Sequence, residues 1–351
     1  MMRIRTVIIA ALAAGFPPMV RAQAGHAIKV VTTLPTYAAI AREVVGDRGT
    51  VTAIAQGAEE PHFVQPKPSF VPLIAGADVF VTTGLDLELW VPALLDKANN
   101  PRVSEGGRGY VAVYAGIPLL EVPSTLSRSQ GDIHIYGNPH IHTDPINAIL
   151  VARNVAAGLI RVAPRDSAYF AQRADAFAHH ILEALYGPEV VRIVTPQVLL
   201  DLAIARGDWA FLQRTVYQGT PLVTRLGGWM KQAESLRGRE MICYHREWVY
   251  FSARFGIPCA DYLEPKPGIP PSPRHVQEVI ELMRTRHIPI VFSPNYFDRR
   301  QTQEIASRTS ATAVIVAAQT EGAPGVTTYD DLINLWIREL VAAVGAAPRP
   351  S

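Results

Sequence analysis

The chain has 351 residues, 48% of them hydrophobic and 18% charged; this excludes a disordered, collagen-like or coiled-coil protein and suits one large domain or two lobes. Lysine and arginine (33) nearly offset aspartate and glutamate (31), leaving +2, and no basic run interleaved with aromatics stands out, so nothing favours a nucleic-acid partner. Cys243 and Cys259 are the only cysteines, which rules out a disulfide scaffold; an oxidising compartment would let the two pair if their Cα atoms approach to about 6 Å, and the sequence leaves that open.

Residues 1–24 read as a secretory signal peptide: Arg3 and Arg5, an apolar stretch from Val7 to Phe16, and the small-x-small end Ala22-Gln23-Ala24. The apolar run is shorter than the ~20 residues a membrane span needs. No cysteine follows it, so a lipid anchor is not expected and a periplasmic protein is. From His26 onward short β-branched runs alternate with helical patterns: strand 28–33, helix 37–45, strand 51–55, helix 69–75 and strand 78–82. Residues 144–186 carry long helical periodicity broken at Pro164, with Asp144 and Asp166 as N-caps. Helical patterns at 199–205, 209–217 and 222–230 follow, punctuated by Gly207, Gly219, Gly227 and Gly228. A second alternating series has strands at 241–244, 259–262, 288–292 and 313–317 and helices at 248–255, 272–286 and 329–344. The expected fold is therefore α/β: two Rossmann-like lobes with parallel sheets, 25–163 and 238–351, joined by a rigid linker helix, 164–187, with a helical insertion at 188–237.

Three of the ten histidines sit in loops after predicted strands, where α/β sheets present ligand groups. His62 lies between Pro61 and Pro66, which stiffen its loop. His140 precedes the Asp144-Pro145 helix start, and His245 ends the strand 241–244. Imidazole is the commonest zinc ligand, and three leave a fourth tetrahedral position for a carboxylate, another histidine or water. His179 and His180 are adjacent on a helix and point in different directions, so they form no i, i+4 metal pair. His26 follows the expected cleavage site, and His275 and His287, flanking a helix, read as surface residues. Glu264 and Lys266, in a proline-stiffened loop, read equally as structural residues or as groups that close a cleft or orient a ligand histidine. Cys243 reads as a small buried residue rather than a thiolate ligand.

Pro61-His62 with Pro66, Asn138-Pro139-His140 leading to Asp144-Pro145, and Tyr244-His245 leading to Tyr250-Phe251 together resemble the solute-binding proteins of zinc and manganese ABC importers. Gly84-Leu85-Asp86-Leu87-Glu88-Leu89-Trp90 and Glu264-Pro265-Lys266-Pro267-Gly268 extend the resemblance over nearly all of the chain after the leader. The resemblance implies pseudo-symmetric lobes with a metal at their interface and carries the first three ligands onto His62, His140 and His245. Relatives usually have a carboxylate ligand before the final helix, but Val326-Thr327-Thr328-Tyr329 offers none. The fourth position is left to water, His142, His134, Glu321 or Asp330, with an open or water-filled position favoured.

The nitrogen-rich set suits Zn²⁺, whereas manganese sites of this kind use carboxylates at two of four positions. The expected function is capture of Zn²⁺ as cargo, without catalysis, for an ABC permease in the inner membrane, by a monomer that binds no nucleic acid. The alternatives are a zinc hydrolase with an open three-histidine site, or a manganese-binding or adhesin-type relative. Against the hydrolase, neither a His-Glu-x-x-His helix nor a Gly-x-Ser-x-Gly elbow is present.

Overall fold

The computed structural model describes residues 27–123, 134–264 and 268–346. The expected leader, His26 and Lys266 lie outside these residues.

The first sheet contains β1 (Ile28–Thr32), β2 (Gly49–Ala53), β3 (Val79–Thr82) and β4 (Tyr110–Ala112), all parallel, in the order β2-β1-β3-β4. Helices α1 (Pro35–Val45), α2 (Phe70–Ala75) and α3 (Val91–Ala98) alternate with these strands. Every residue of β3 is buried, as a strand covered on both faces requires.

Two long helices follow, α4 (Pro145–Val162) and α5 (Ser167–Tyr186), packed against each other and against α1. Asp144 caps α4, its Oδ1 accepting from Ile146 N at 2.9 Å, with Pro145 in the first turn. Asp166 stands at the N-cap of α5, yet its side chain makes no capping bond there. Helix α4 is apolar enough to cross a membrane, but most of it is buried inside the protein, so its composition is that of a core helix.

Short helices α6 (Pro188–Val194), α7 (Pro196–Ile204) and α8 (Asp208–Arg214) come next. The helix expected over 209–217 stops at Arg214, and the chain turns through the hairpin β5 (Val216–Tyr217) and β6 (Thr220–Pro221). Gln218 and Gly219 both take positive φ there, the requirement of a tight hairpin turn. The helix expected over 222–230 divides into a 3₁₀ turn, Leu222–Arg225, and α9 (Gly228–Gln232). The break falls where Gly228, at φ +54, lies so close to the end of α5 that a Cβ would sit 2.1 Å from the Ala184 carbonyl oxygen.

The second sheet contains β7 (Met241–Cys243), β8 (Cys259–Tyr262), β9 (Ile290–Pro294) and β10 (Thr312–Val316), again parallel, in the order β10-β9-β7-β8. Helices α10 (Val249–Phe255), α11 (Pro273–Arg286), α12 (Arg299–Arg308) and α13 (Tyr329–Ala346) cover it. Cys243 and Cys259 are disulfide-bonded with Cα atoms 5.5 Å apart, joining neighbouring strands β7 and β8 and excluding a free thiolate at Cys243.

The two sheets repeat one topology: the first strand lies inside, the second on one side of it, the third and fourth on the other. The strand order therefore reverses beside β1 and beside β7, the places where open α/β sheets present ligand groups. One continuous core, from Ile28 and Phe80 through Leu159 and Leu185 to Phe292 and Trp336, runs through both lobes and the helices between them.

Candidate metal centre

His62 stands in the 3₁₀ turn Pro61–Phe63 that follows β2. Pro61 fixes the first helical position, and its carbonyl accepts from Trp90 Nε1 at 2.9 Å. The Glu60 carboxylate accepts from the His62 backbone N–H and bonds the ring Nδ1. His140 is held the same way by Asn138, whose Oδ1 accepts from the His140 backbone N–H and faces Nδ1, both at 3.0 Å. His245 lies just past β7, its Nδ1 3.0 Å from the carbonyl oxygen of Glu264 at the end of neighbouring β8. In each case an oxygen acceptor at Nδ1 places the proton there and leaves the Nε2 lone pair free to bind a cation.

The three rings converge, with centroids 5.1 Å apart for His62 and His140, 5.5 Å for His62 and His245, and 5.4 Å for His140 and His245. His134 joins them. Its ring stacks on His62 at 5.2 Å and lies edge-on to His140 at 5.7 Å. The Nε2 atoms of His62 and His134 are 3.2 Å apart, close to the ~3.3 Å edge of a tetrahedron with nitrogens about 2.0–2.1 Å from zinc. One donor nitrogen each from His62, His134 and His245 lies within 4.8 Å of the others. The His245 Nε2 is buried and has no hydrogen-bond partner.

Burial also makes the cluster an electron-pair donor. His134 is pushed down to about 3 by desolvation and then by His62. His140 and His245 fall well below the ordinary histidine value through burial, reinforced by neighbouring imidazoles. His134, His140 and His245 are therefore held in the neutral form, the one that coordinates a metal. Two carboxylates stand just outside: Glu60 on His62, and Glu264, whose Oε1 accepts from Gly268 N at 2.8 Å and whose proton affinity is raised by burial.

The other fourth-position candidates are engaged elsewhere. His142 is fully buried, but its Nε2 contacts Gln319 Nε2 at 2.9 Å and its ring lies edge-on to Tyr37. Glu321 pairs with Arg42 at 2.9 Å, and Asp330 with His180 at 2.5 Å. His180, read from sequence only as a helix residue that forms no i, i+4 metal pair, thus pairs with a residue 150 positions away. Glu264 contributes its main-chain carbonyl to His245.

Two lobes of matching topology that bring loop side chains together between them define a solute-binding architecture. The chain belongs to the family described as zinc-uptake complex component A, periplasmic (ZnuA), which matches residues 30–185 and 223–343. The unmatched stretch between them holds α6, α7, α8 and the small hairpin. Among relatives, the chain is 25% identical over 320 residues to the iron-binding protein YfeA of Yersinia pestis, covering 90% of this chain and 86% of that one. It is 23% identical to the zinc-binding lipoprotein AdcA of Streptococcus pneumoniae over 83% of this chain but only 49% of AdcA, and 22% identical to the manganese ABC transporter substrate-binding lipoprotein PsaA of the same species over 80% and 76%. A crystal structure of ZnuA superposes with TM-score 0.65 at 16% identity, covering 90% of this chain and 99% of that one. A metal-free periplasmic metal-binding protein from Candidatus Liberibacter asiaticus superposes with TM-score 0.63 at 18% identity, covering 90% and 98%. These likenesses bear out the two-lobed α/β fold. The protein is a substrate-binding component of a metal ABC transporter, and its family works outside the cytoplasm in transport, not catalysis.

Proposed function

We propose that this protein captures Zn²⁺ in the periplasm on His62, His134, His140 and His245 and delivers it, as a monomer, to an ABC permease in the inner membrane. In this reading residues 1–24 are a cleaved signal peptide, the lobes are 25–163 and 238–351, 164–187 links them, and 188–237 is an insertion. The observation that carries the reading is the oxygen at each Nδ1 of His62, His140 and His245, supplied by Glu60, Asn138 and the Glu264 carbonyl, while their rings converge with that of His134. Four imidazoles form a borderline-soft, tetrahedral donor set; manganese prefers carboxylate oxygens and higher coordination. The nearest carboxylate, Glu60, is spent on the outer nitrogen of His62.

The test is calorimetric titration of the metal-stripped chain, begun at Gln23 or Gly25, with Zn²⁺ and Mn²⁺ under the same conditions. One zinc per chain with sub-micromolar affinity, and much weaker manganese, is expected. Manganese bound as tightly as zinc, or no zinc binding, overturns the assignment. Copper or nickel binding would say nothing, because both bind nitrogen sites strongly by intrinsic affinity.

A further inference from the structure

Asn138 uses all of its hydrogen-bonding capacity, and it does so in three directions. Its Oδ1 accepts from the backbone N–H of His140 and faces that ring's Nδ1, both at 3.0 Å. Its Nδ2 donates to Glu121 Oε2 at 3.0 Å and to the Arg246 carbonyl at 2.8 Å. Its backbone N–H donates to the Leu120 carbonyl at 2.8 Å, and its own carbonyl accepts from the Tyr250 hydroxyl at 2.6 Å. The same hydroxyl accepts from Leu120 N at 3.2 Å, and Arg246 Nη1 pairs with Glu121 Oε1 at 2.5 Å. Leu120, Glu121 and Asn138 thus draw together the two chain segments that flank His134, while Arg246 and Tyr250 belong to the second lobe and begin one residue after His245.

From this we infer that Asn138, with Glu121 and Arg246, is a positioning clamp: it orients His140, seats His134 over the other imidazoles, and ties both to the lobe that carries His245, thereby setting the rate at which bound metal leaves. The inference rests on the zinc-site reading above. Asn138 is 2% exposed, so its unmet donors and acceptors would be stranded without these partners. The Glu121–Arg246 pair is about one-third exposed on each side and would be weak alone. Its importance is geometric, because it aims the Glu121 carboxylate at Asn138 Nδ2. Disturbing groups that orient a ligand histidine typically costs about 10–100-fold in metal affinity.

The experiment measures zinc dissociation from the full mature chain by stopped-flow transfer to a chromogenic chelator, together with the visible spectrum of the Co²⁺ form. Asn138→Ala removes every side-chain contact; Asn138→Asp keeps an acceptor for His140 but sets an oxygen against Glu121 and the Arg246 carbonyl. Both variants should release zinc about 10–100-fold faster, with the intense four-coordinate Co²⁺ bands diminished. Glu121→Ala and Arg246→Ala should each accelerate release, with the double variant no faster than either single one. Metal-free melting temperatures of these two partly exposed variants should stay near wild type, which separates positioning from general destabilisation. Wild-type release from Asn138→Asp, or additive effects of Glu121→Ala and Arg246→Ala, overturns the clamp. His62→Ala and His140→Ala, run alongside, report on the site itself: tight zinc binding retained by both removes the site reading, whereas its loss with wild-type release from the clamp variants leaves the site standing and removes only the clamp.

Discussion

His62 and His134 approach Nε2 to Nε2 at 3.2 Å although 72 residues separate them in the chain. Two ring nitrogens at that distance are arranged to share one proton or one metal ion, and two further imidazoles pack against the pair. If a metal is what they share, replacing His62, His140 or His245 by alanine should each weaken zinc binding by at least about a hundredfold, because a tetrahedral site loses a quarter of its donors. His134→Ala should cost less, since water can enter on its more exposed side. His142→Ala and His179→Ala should leave affinity unchanged. Competition titration against a zinc chelator ranks the six variants, and an unchanged affinity at any of the first three removes that residue from the site.

The sequence made much of this legible, for local reasons. His62, His140 and His245 stand where a proline, a helix cap or a strand end fixes the backbone within a few residues, so position in the chain implied position in the fold. His134 had no such local anchor. Its placement depends on Tyr250, 130 residues from Leu120 and 112 from Asn138, and no periodicity encodes contacts of that range. His142 looked equivalent to His134 until packing turned it toward Gln319, 177 residues away. Strand-helix alternation announced two parallel sheets, but not that both run in the same strand order. Three-residue β4 and the strongly polar α12 fell below what a hydrophobic pattern can register.

Arg254 on α10 is a structural counterpart to the metal cluster. Its guanidinium reaches Asp144 at 2.9 and 3.1 Å, Asp208 at 3.1 Å and the Ala203 carbonyl at 2.9 Å, joining the cap of α4 to α7 and α8. All three charged residues are buried. Removing one member of such a network leaves uncompensated charge in the interior, so Arg254→Ala should destabilise the protein by about 3–5 kcal/mol. Arg274→Ala, which breaks only a solvent-exposed pair with Glu278, should leave the unfolding midpoint nearly in place. Urea unfolding followed by tryptophan fluorescence compares them; equal midpoints would mean the buried network contributes nothing.

The disulfide between Cys243 and Cys259 closes a short loop between the adjacent strands β7 and β8, the cysteines standing 16 positions apart. In the chain-entropy account a loop of that size restricts the unfolded chain by about 3 kcal/mol. The Cys243→Ser, Cys259→Ser double variant should therefore melt several degrees lower than the oxidised protein, and a reducing agent should lower the wild type by a similar amount while leaving the variant unaffected. A reductant effect on the double variant would assign the loss to something other than this bond.

Alkaline stability follows from the tyrosines. Tyr110 and Tyr262 are pushed up to about 12, chiefly by burial, and so is Tyr250, where a hydrogen bond from Leu120 partly offsets that rise. Tyr37, Tyr186, Tyr296 and Tyr329 are raised further, again first by burial. In the unfolded chain a phenol ionises near 10, so between about pH 10 and 12 the folded state holds protons that the unfolded state has released. Stability from these groups is complete below pH 10 and is lost as pH rises through that window. Titration of tyrosinate absorbance near 295 nm should show most of the phenols lagging behind the denatured protein and then ionising together as the fold gives way. A native titration that overlays the denatured one would mean that these rings are open to solvent and that burial is not what sets their proton affinity.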